Sequence, residues 1–251
     1  MSDGMTQAGL LAADAGHSRL KWGWRDAEGT IQGLALPLDR PEEWARVAER
    51  VPPQGRWVIA GSNLPVRAAF ADWVRGQGQA CQLITDYRQL PITVALPKPE
   101  RVGLDRLLAA VAVKLQGLCP AVVVDAGSAV TVNLVDAEGQ FQGGAILPGY
   151  RFMARALRAG TTTLPEVAQP ASLPSFPGQG TEEAIAAGIT AAVVGGIESL
   201  VRRVQAVRPG VALVLTGGDA PWLRTLLTQD FRYEPWLTLQ GLLWTAEALT
   251  E

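Results

Sequence analysis

Leu10-Leu-Ala-Ala-Asp-Ala-Gly-His-Ser18 and Ala121-Val-Val-Val-Asp-Ala-Gly-Ser128 repeat one pattern, an apolar run that ends in Asp-Ala-Gly and a polar turn. A second shared turn follows each, Asp26-Ala-Glu-Gly29 and Asp136-Ala-Glu-Gly139, with one residue more between the turns in the first copy. A short apolar run bounded by turn residues reads as a buried strand, and the second turn as the return of a hairpin. The recurrence predicts an internal duplication: two related domains, each opening with such a strand. Two acidic turns facing each other across a cleft could hold the two ends of one polyphosphate. That points to a phosphotransferase using a nucleotide.

Composition narrows the field. The chain has 251 residues, 48% hydrophobic and 18% charged, enough for one large domain or two smaller ones with substantial cores. A net charge of −2 offers no electrostatic footprint for nucleic acid or anionic lipid. The first nine residues lack the basic and apolar regions of a signal peptide. The uncharged run Ala184 to Ile197 is shorter than the roughly 20 residues of a membrane span and reads as a buried helix. Two distant cysteines and a single histidine, His17, argue against a disulfide framework, a zinc site, a His-based metal cluster and a conventional Ser-His-Asp triad. A cytoplasmic protein without nucleic-acid or membrane partners is expected. Its chemistry must come from Asp, Lys, Arg, Ser, Thr and backbone amides.

Strands alternate with helices in both halves, as in α/β domains with mixed sheets. The first half reads as strand, hairpin and strand through residues 9–37, with Gly29 and Gly33 as punctuation. Helices follow from Pro41 to about Val51 and from Pro65 to about Arg75, the second burying Val66, Ala69, Phe70 and Trp73, with the strand Arg56 to Ala60 between them. Leu104 to Leu118 is the strongest helix of this half. After the second hairpin come a helix near Tyr150 to Ala159, a proline-punctuated segment from Leu164 to Pro177 and a long helix from Thr181 to Val207. A strand from Val211 to Thr216, the turn Gly217-Gly-Asp219 and a helix from Pro221 complete the second half. The expected domains are 8–117 and 118–251.

Several residues could carry chemistry. In Asp14 to Lys21 the turn amides could bind phosphate oxygens and Asp14 could hold a hydrated Mg²⁺. A plain hairpin turn is the competing explanation for one copy, and the second copy weighs against it. Gly103-Leu-Asp-Arg106 opens a helix. Asp105 there could serve the helix dipole, or act as a general base beside Arg106 as an anion-recognising guanidinium. Gly143-Gly-Ala-Ile-Leu-Pro-Gly149 reads as a tight turn leading into a helix. Thr181, before Glu182 and Glu183, reads locally as an N-cap. Gly188, Gly195 and Gly196 suggest close helix packing, with a dimer interface as the weaker alternative.

Taken in order, Asp14–Lys21, Gly103–Arg106, Asp125–Asn133, Gly143–Gly149 and Thr181 followed by Ala184-Ile-Ala-Ala-Gly188 resemble the five motifs of type III pantothenate kinases. The resemblance implies an α/β fold of two tandem ribonuclease-H-like (actin-like ATPase) domains with mixed sheets around a central cleft. It also implies a homodimer, and ATP-dependent phosphorylation of pantothenate with Mg²⁺ and a monovalent cation, K⁺ or NH₄⁺. Carried over by position, Asp14, Ala15, Gly16, His17, Ser18, Arg19, Leu20, Lys21 and Ser128 bind ATP. Asp105 is the catalytic base; Gly103, Leu104, Asp105, Arg106 and Thr181 hold pantothenate. Asp125 binds the monovalent cation and Asp14 the Mg²⁺. The chain departs from the pattern at His17 for Asn, at Ser18 and Ser128 for Thr, at Asn133 for Asp and at Leu96 for Tyr. A non-catalytic regulatory homologue, or a kinase of the same superfold with another small hydroxylated substrate, are the alternatives.

Overall fold

Both apolar runs that precede an Asp-Ala-Gly turn become the central strand of a five-stranded sheet. The computed structural model describes residues 9–38, 40–49, 51 and 55–250. They fall into two units. Unit 1 holds the chain up to Ile92, Pro97–Leu115 and the stretch from Trp236; unit 2 holds Thr93–Leu96 and Gln116–Pro235.

In unit 1 the strands are β1 (Gly9–Ala15), β2 (Leu20–Arg25), β3 (Ile31–Leu36), β4 (Gly55–Ala60) and β5 (Cys81–Leu83). They lie in the order β3-β2-β1-β4-β5, with β1 antiparallel to β2 and parallel to β4. The helices α1 (Pro41–Ala48), α2 (Leu64–Gly76) and α3 (Leu104–Leu115) complete the first part of the unit. On α2 the buried face is Phe70, Ala71 and Val74 with Val66 and Trp73 partly covered, whereas Ala69, expected there, is exposed. Trp22, Trp57 and Phe70 meet edge-on or tilted with ring centroids 5.1–5.2 Å apart. Such pairs add about 0.5–1.5 kcal/mol each beyond their buried area.

Unit 2 repeats the scheme with β6 (Ala121–Ala126), β7 (Ala129–Val135), β8 (Phe141–Pro148), α4 (Tyr150–Gly160), α5 (Thr181–Val207), β9 (Ala212–Thr216), the short α6 (Ala220–Leu223) and β10 (Arg232–Tyr233). The sheet order β8-β7-β6-β9-β10 and the strand directions match unit 1 strand for strand. Gly143 to Pro148, expected as a tight turn, is instead most of β8. Gly144 lies so close to β7 that a Cβ would stand 2.0 Å from the Val132 carbonyl oxygen. Segment 93–96 pairs with Phe141 at the outer edge of this sheet.

The last helix, α7 (Leu237–Ala248), was not expected from the sequence, and it belongs to unit 1 although the expected second domain ran to residue 251. It buries Leu237, Leu239, Leu242, Leu243 and Ala246 and packs on α3 and the first sheet. The Trp236 ring lies over Gly33, where a Cβ would stand 2.4 Å from it. Gly33 is therefore a contact in the middle of β3, not the punctuation expected. Among the described residues one helix, α5, is long and apolar enough to cross a membrane. Its Ile185, Ile189, Val193, Ile197 and Val201 are built into the core of unit 2, as the buried-helix reading expects.

Candidate active site

Asp14 stands at the end of β1, opposite Lys21 on β2 and Ala60 on β4, with its side chain 4% exposed. The Gly16 amide donates to the Arg19 carbonyl (3.1 Å), closing a turn whose His17, Ser18 and Arg19 are exposed. Ala15 and Leu20 place their side chains in the core, so they can offer a ligand only their backbones. Asp125 stands equivalently at the end of β6, opposite Thr131, and the Gly127 amide donates to the Ala129 carbonyl (3.0 Å). The extra residue of the first copy thus sits in its Gly16–Arg19 turn, which leaves a wider loop of exposed polar side chains.

The second shared turn is structural in both copies. Asp26 accepts from the Thr30 amide and the Gln32 carboxamide; Asp136 accepts from the Gln140 amide and the Gln142 carboxamide. These bonds hold the Asp26 carboxyl below its ordinary range, the Gln32 bond most. Neither Asp is left for chemistry.

A further duplicated feature escaped the sequence reading. After β4, the Asn63 amide donates to the Ala15 carbonyl (3.0 Å); after β9, the Asp219 amide donates to the Ala126 carbonyl (2.9 Å). Gly61 and Gly217 have φ of +135° and +98°, and a Cβ on either would come within 2.4 Å of the carbonyl oxygen of Ala15 or Ala126. Only glycine fits such a backbone at that approach. Each acidic turn is therefore gripped by a Gly-x-Asn/Asp turn from the neighbouring parallel strand. The signal was available as the recurrence of glycine directly after an apolar strand, Trp57-Val-Ile-Ala-Gly61 and Leu213-Val-Leu-Thr-Gly217.

Gly103 precedes α3 and accepts from the Arg106 and Leu107 amides. The Asp105 carboxylate folds back to accept from the Arg106 amide (2.9 Å), and a Cβ on Gly103 would stand 2.5 Å from its Oδ1. Gly103 is thus the space that Asp105 occupies. Arg106 is half-buried; burial pulls its guanidinium below the ordinary arginine range and the Asp105 charge opposes that pull. A carboxylate and a partly desolvated guanidinium side by side suit an alcohol that also carries an acid group.

The sequence model of type III pantothenate kinases matches residues 10–203. The chain belongs to the type III pantothenate kinase family. The type III pantothenate kinase of Synechococcus elongatus is 38% identical over 250 residues, covering 95% of this chain and 97% of that one. The Rhodopirellula baltica type III pantothenate kinase is 45% identical over 161 residues, 61% of this chain, and that alignment spans only 57% of the relative. Among solved structures, a Campylobacter jejuni protein assigned to the Baf family of transcriptional activators superposes with a TM-score of 0.59 at 21% identity, covering 96% of this chain and 99% of that one. Component A of the Acidaminococcus fermentans (R)-2-hydroxyglutaryl-CoA dehydratase superposes with a TM-score of 0.56 at 15% identity, covering 98% and 100%. At these identities the likeness is one of fold: each unit is ribonuclease-H-like, of the actin-like ATPase type. As a type III pantothenate kinase family member the chain is a phosphotransferase.

Where the chain departs from the pantothenate kinase pattern, the structure shows what the replacement touches. Leu96 packs on Gly143, its Cδ2 3.3 Å from where a Cβ would lie. Asn133 is 2% exposed inside β7 and donates to the Thr131 hydroxyl (2.9 Å), so it is part of the sheet instead of the loop. Thr181 is not an N-cap: Gly180 takes that position, and Glu183 reaches back to accept from the Gln179 amide (2.8 Å). Thr181 instead lines a groove of about 830 Å³ between α4 and α5, with Met153, Leu157, Leu164, Ile185 and Gly188 among its walls.

The donor atoms bear on the ions the family implies. Among the described residues no three His, Cys, Asp or Glu side chains gather as a metal cage. One carboxylate such as Asp14 fits Mg²⁺, which keeps waters and substrate phosphates as its other ligands. Asp125 Oδ1 and the Ala126 carbonyl oxygen lie 2.5 and 2.3 Å from where a Cβ on Gly217 would stand, two oxygen donors of the kind a monovalent cation takes.

Proposed function

We propose that this chain transfers the γ-phosphoryl group of ATP to the primary hydroxyl of pantothenate, giving 4′-phosphopantothenate, the first step of coenzyme A synthesis. The observation that carries the reading is the Asp105–Arg106 pair at the start of α3, held in a family-specific motif with its glycine in place. Asp105 accepts the hydroxyl proton as the oxygen attacks the γ-phosphorus and the bond to the β-phosphate bridging oxygen breaks, releasing ADP. Arg106 pairs with the pantothenate carboxylate. Gly103 and Leu104, beside Asp105 and Arg106, and Thr181 by its place in the family pattern, are the remaining residues proposed to contact pantothenate.

The Asp14 to Lys21 turn binds phosphate oxygens through its amides and Lys21, and Ser128 contacts the nucleotide. Mg²⁺ on Asp14 and a K⁺ or NH₄⁺ on Asp125 would neutralise phosphate charge, which with positioning is where phosphoryl transfer gains most. The reading includes a cytoplasmic location and a homodimer. The groove between α4 and α5, apolar on most of its walls and with Gly188 among them, is the surface proposed for the second copy.

The test is ADP release coupled to pantothenate. Asp105→Asn is expected to lower turnover about 10²–10⁴-fold, the usual worth of a general base, with ATP affinity and fold retained. Near-normal turnover in that variant removes Asp105 from the mechanism. Turnover with other small hydroxy acids but not with pantothenate reassigns the substrate.

A further inference from the structure

Three segments of unit 2 meet at the second Asp-Ala-Gly turn. Gly149, which caps α4, donates to the Ser128 carbonyl (2.9 Å) and lies so close that a Cβ would stand 2.2 Å from the Gly127 oxygen. From the opposite flank come Gly217 and the amide of Asp219, which grip Ala126. One side chain closes the triangle. Arg151, in the first turn of α4, donates from Nη2 to Asp219 Oδ1 at 2.5 Å. The Asp219 side chain is 7% exposed and that of Arg151 62%, so a buried carboxylate anchors a guanidinium that reaches solvent. At the first acidic turn the equivalent side chain, Asn63, instead caps α2 by accepting from the Val66 amide. The second turn is also the narrower of the two, with fewer exposed side chains of its own to hold a ligand.

We infer that Arg151 is a positioning residue for the nucleotide: by tying α4 to the 217–219 turn through Asp219, it holds the Gly127–Ser128 backbone in the shape that receives ATP. The inference rests on the reading that this turn takes the nucleotide. Without the tie, the two flanks keep the apolar contact of Tyr150 with Trp222 (ring centroids 5.6 Å apart) but lose their polar link beside the turn, and the turn samples geometries that bind phosphate less well.

Calorimetric titration with Mg·ATP in the absence of pantothenate reads this directly. Arg151→Ala and Asp219→Asn are each expected to weaken ATP binding about tenfold, the scale on which contacting residues couple. The double variant, which leaves no stranded carboxylate, is expected to be no worse than the worse single one, and Arg151→Lys to keep most of the affinity. The KM for pantothenate should hardly move in any of these variants. The melting temperature without nucleotide should hardly move in the double variant, which strands no charge, whereas Arg151→Ala alone is expected to melt somewhat earlier. Wild-type ATP affinity in Arg151→Ala overturns the inference. So does a loss shared equally by both substrates with earlier melting, which would mark a merely structural role. ATP binding by the wild type without phosphorylation of pantothenate sinks the proposed reaction and leaves the Arg151 result standing; absence of ATP binding in the wild type sinks both.

Discussion

Gly61 and Gly217 show how a single residue sets the geometry of a site it does not line. Each follows a buried strand, turns its backbone into the region open to glycine, and lays it against the carbonyl of the residue after the acidic Asp. Adding a methyl at Gly61 carries a backbone cost of about 1–3 kcal/mol before the overlap with Ala15 is counted. Gly61→Ala is therefore expected to lower the melting temperature by several degrees and to weaken ATP binding. Gly76→Ala, at a position with no atom within 4 Å, should leave both unchanged; calorimetry of the two variants decides. At this scale the sequence shows the residues whose chemistry is explicit: Asp14, Asp125, Asp105 and Arg106 are all found at strand ends or a helix start, as their neighbours suggest. The grips on them were hidden because Gly61-Ser-Asn63 and Gly217-Gly-Asp219 share only their first residue and a hydrogen bond made by a backbone amide. Thr181 misled for a related reason. A hydroxyl before two glutamates looks like a cap, but here Gly180 takes the N-cap position and Glu183 ties back to the Gln179 amide before it.

Among the elements, α5 shows what a long apolar helix needs to stay in register. Its inner face is fixed by Ile185, Ile189, Val193, Ile197 and Val201, and a polar tie holds it from the side. Glu198 accepts from the Thr228 hydroxyl (2.7 Å) and amide (3.0 Å) and from Arg202 (3.4 Å). The Thr228 hydroxyl, then its amide, with Arg202 lesser, hold the Glu198 carboxyl below its ordinary value. A depressed carboxylate value in the folded state adds stability that is complete above the unfolded value of about 4.3 and disappears as pH falls through the folded one. Glu198→Gln is thus expected to be less stable than the wild type near neutrality, and the gap should close below about pH 4. Chemical denaturation at several pH values checks it; a gap that persists undiminished in acid would refute the tie. Most elements were legible because their apolar residues recur at helical or strand spacing, with proline and glycine at the ends. The run Gly143 to Pro148 was not. Its two glycines signal a turn locally, and the requirement they answer, the close passage of β7 under Gly144, comes from Val132 and Asn133 on the preceding strand.

For the molecule as a whole, the duplication legible in residues 10–29 and 121–139 accounts for both sheets down to strand order and direction. The exception is α7. A helix that is apolar on every side has no periodic polar face to reveal it. It is buried against α3 and the first sheet, far along the chain from both. Deleting residues 236–251 should expose the α3 face and the Gly33 surface beneath Trp236. Unit 1 is then expected to lose its cooperative unfolding transition and become protease-sensitive while unit 2 keeps both properties. Limited proteolysis with mass spectrometry would show it, and equal resistance of both units would contradict this account of α7. The same helix bears on how the protein is made. Residues 93–96 and 116–235, all that unit 2 requires, emerge from the ribosome before α7 does. The amino-terminal strands, although synthesised first, must wait with one face bare until the final helix arrives, so the half begun earliest is the last to be finished.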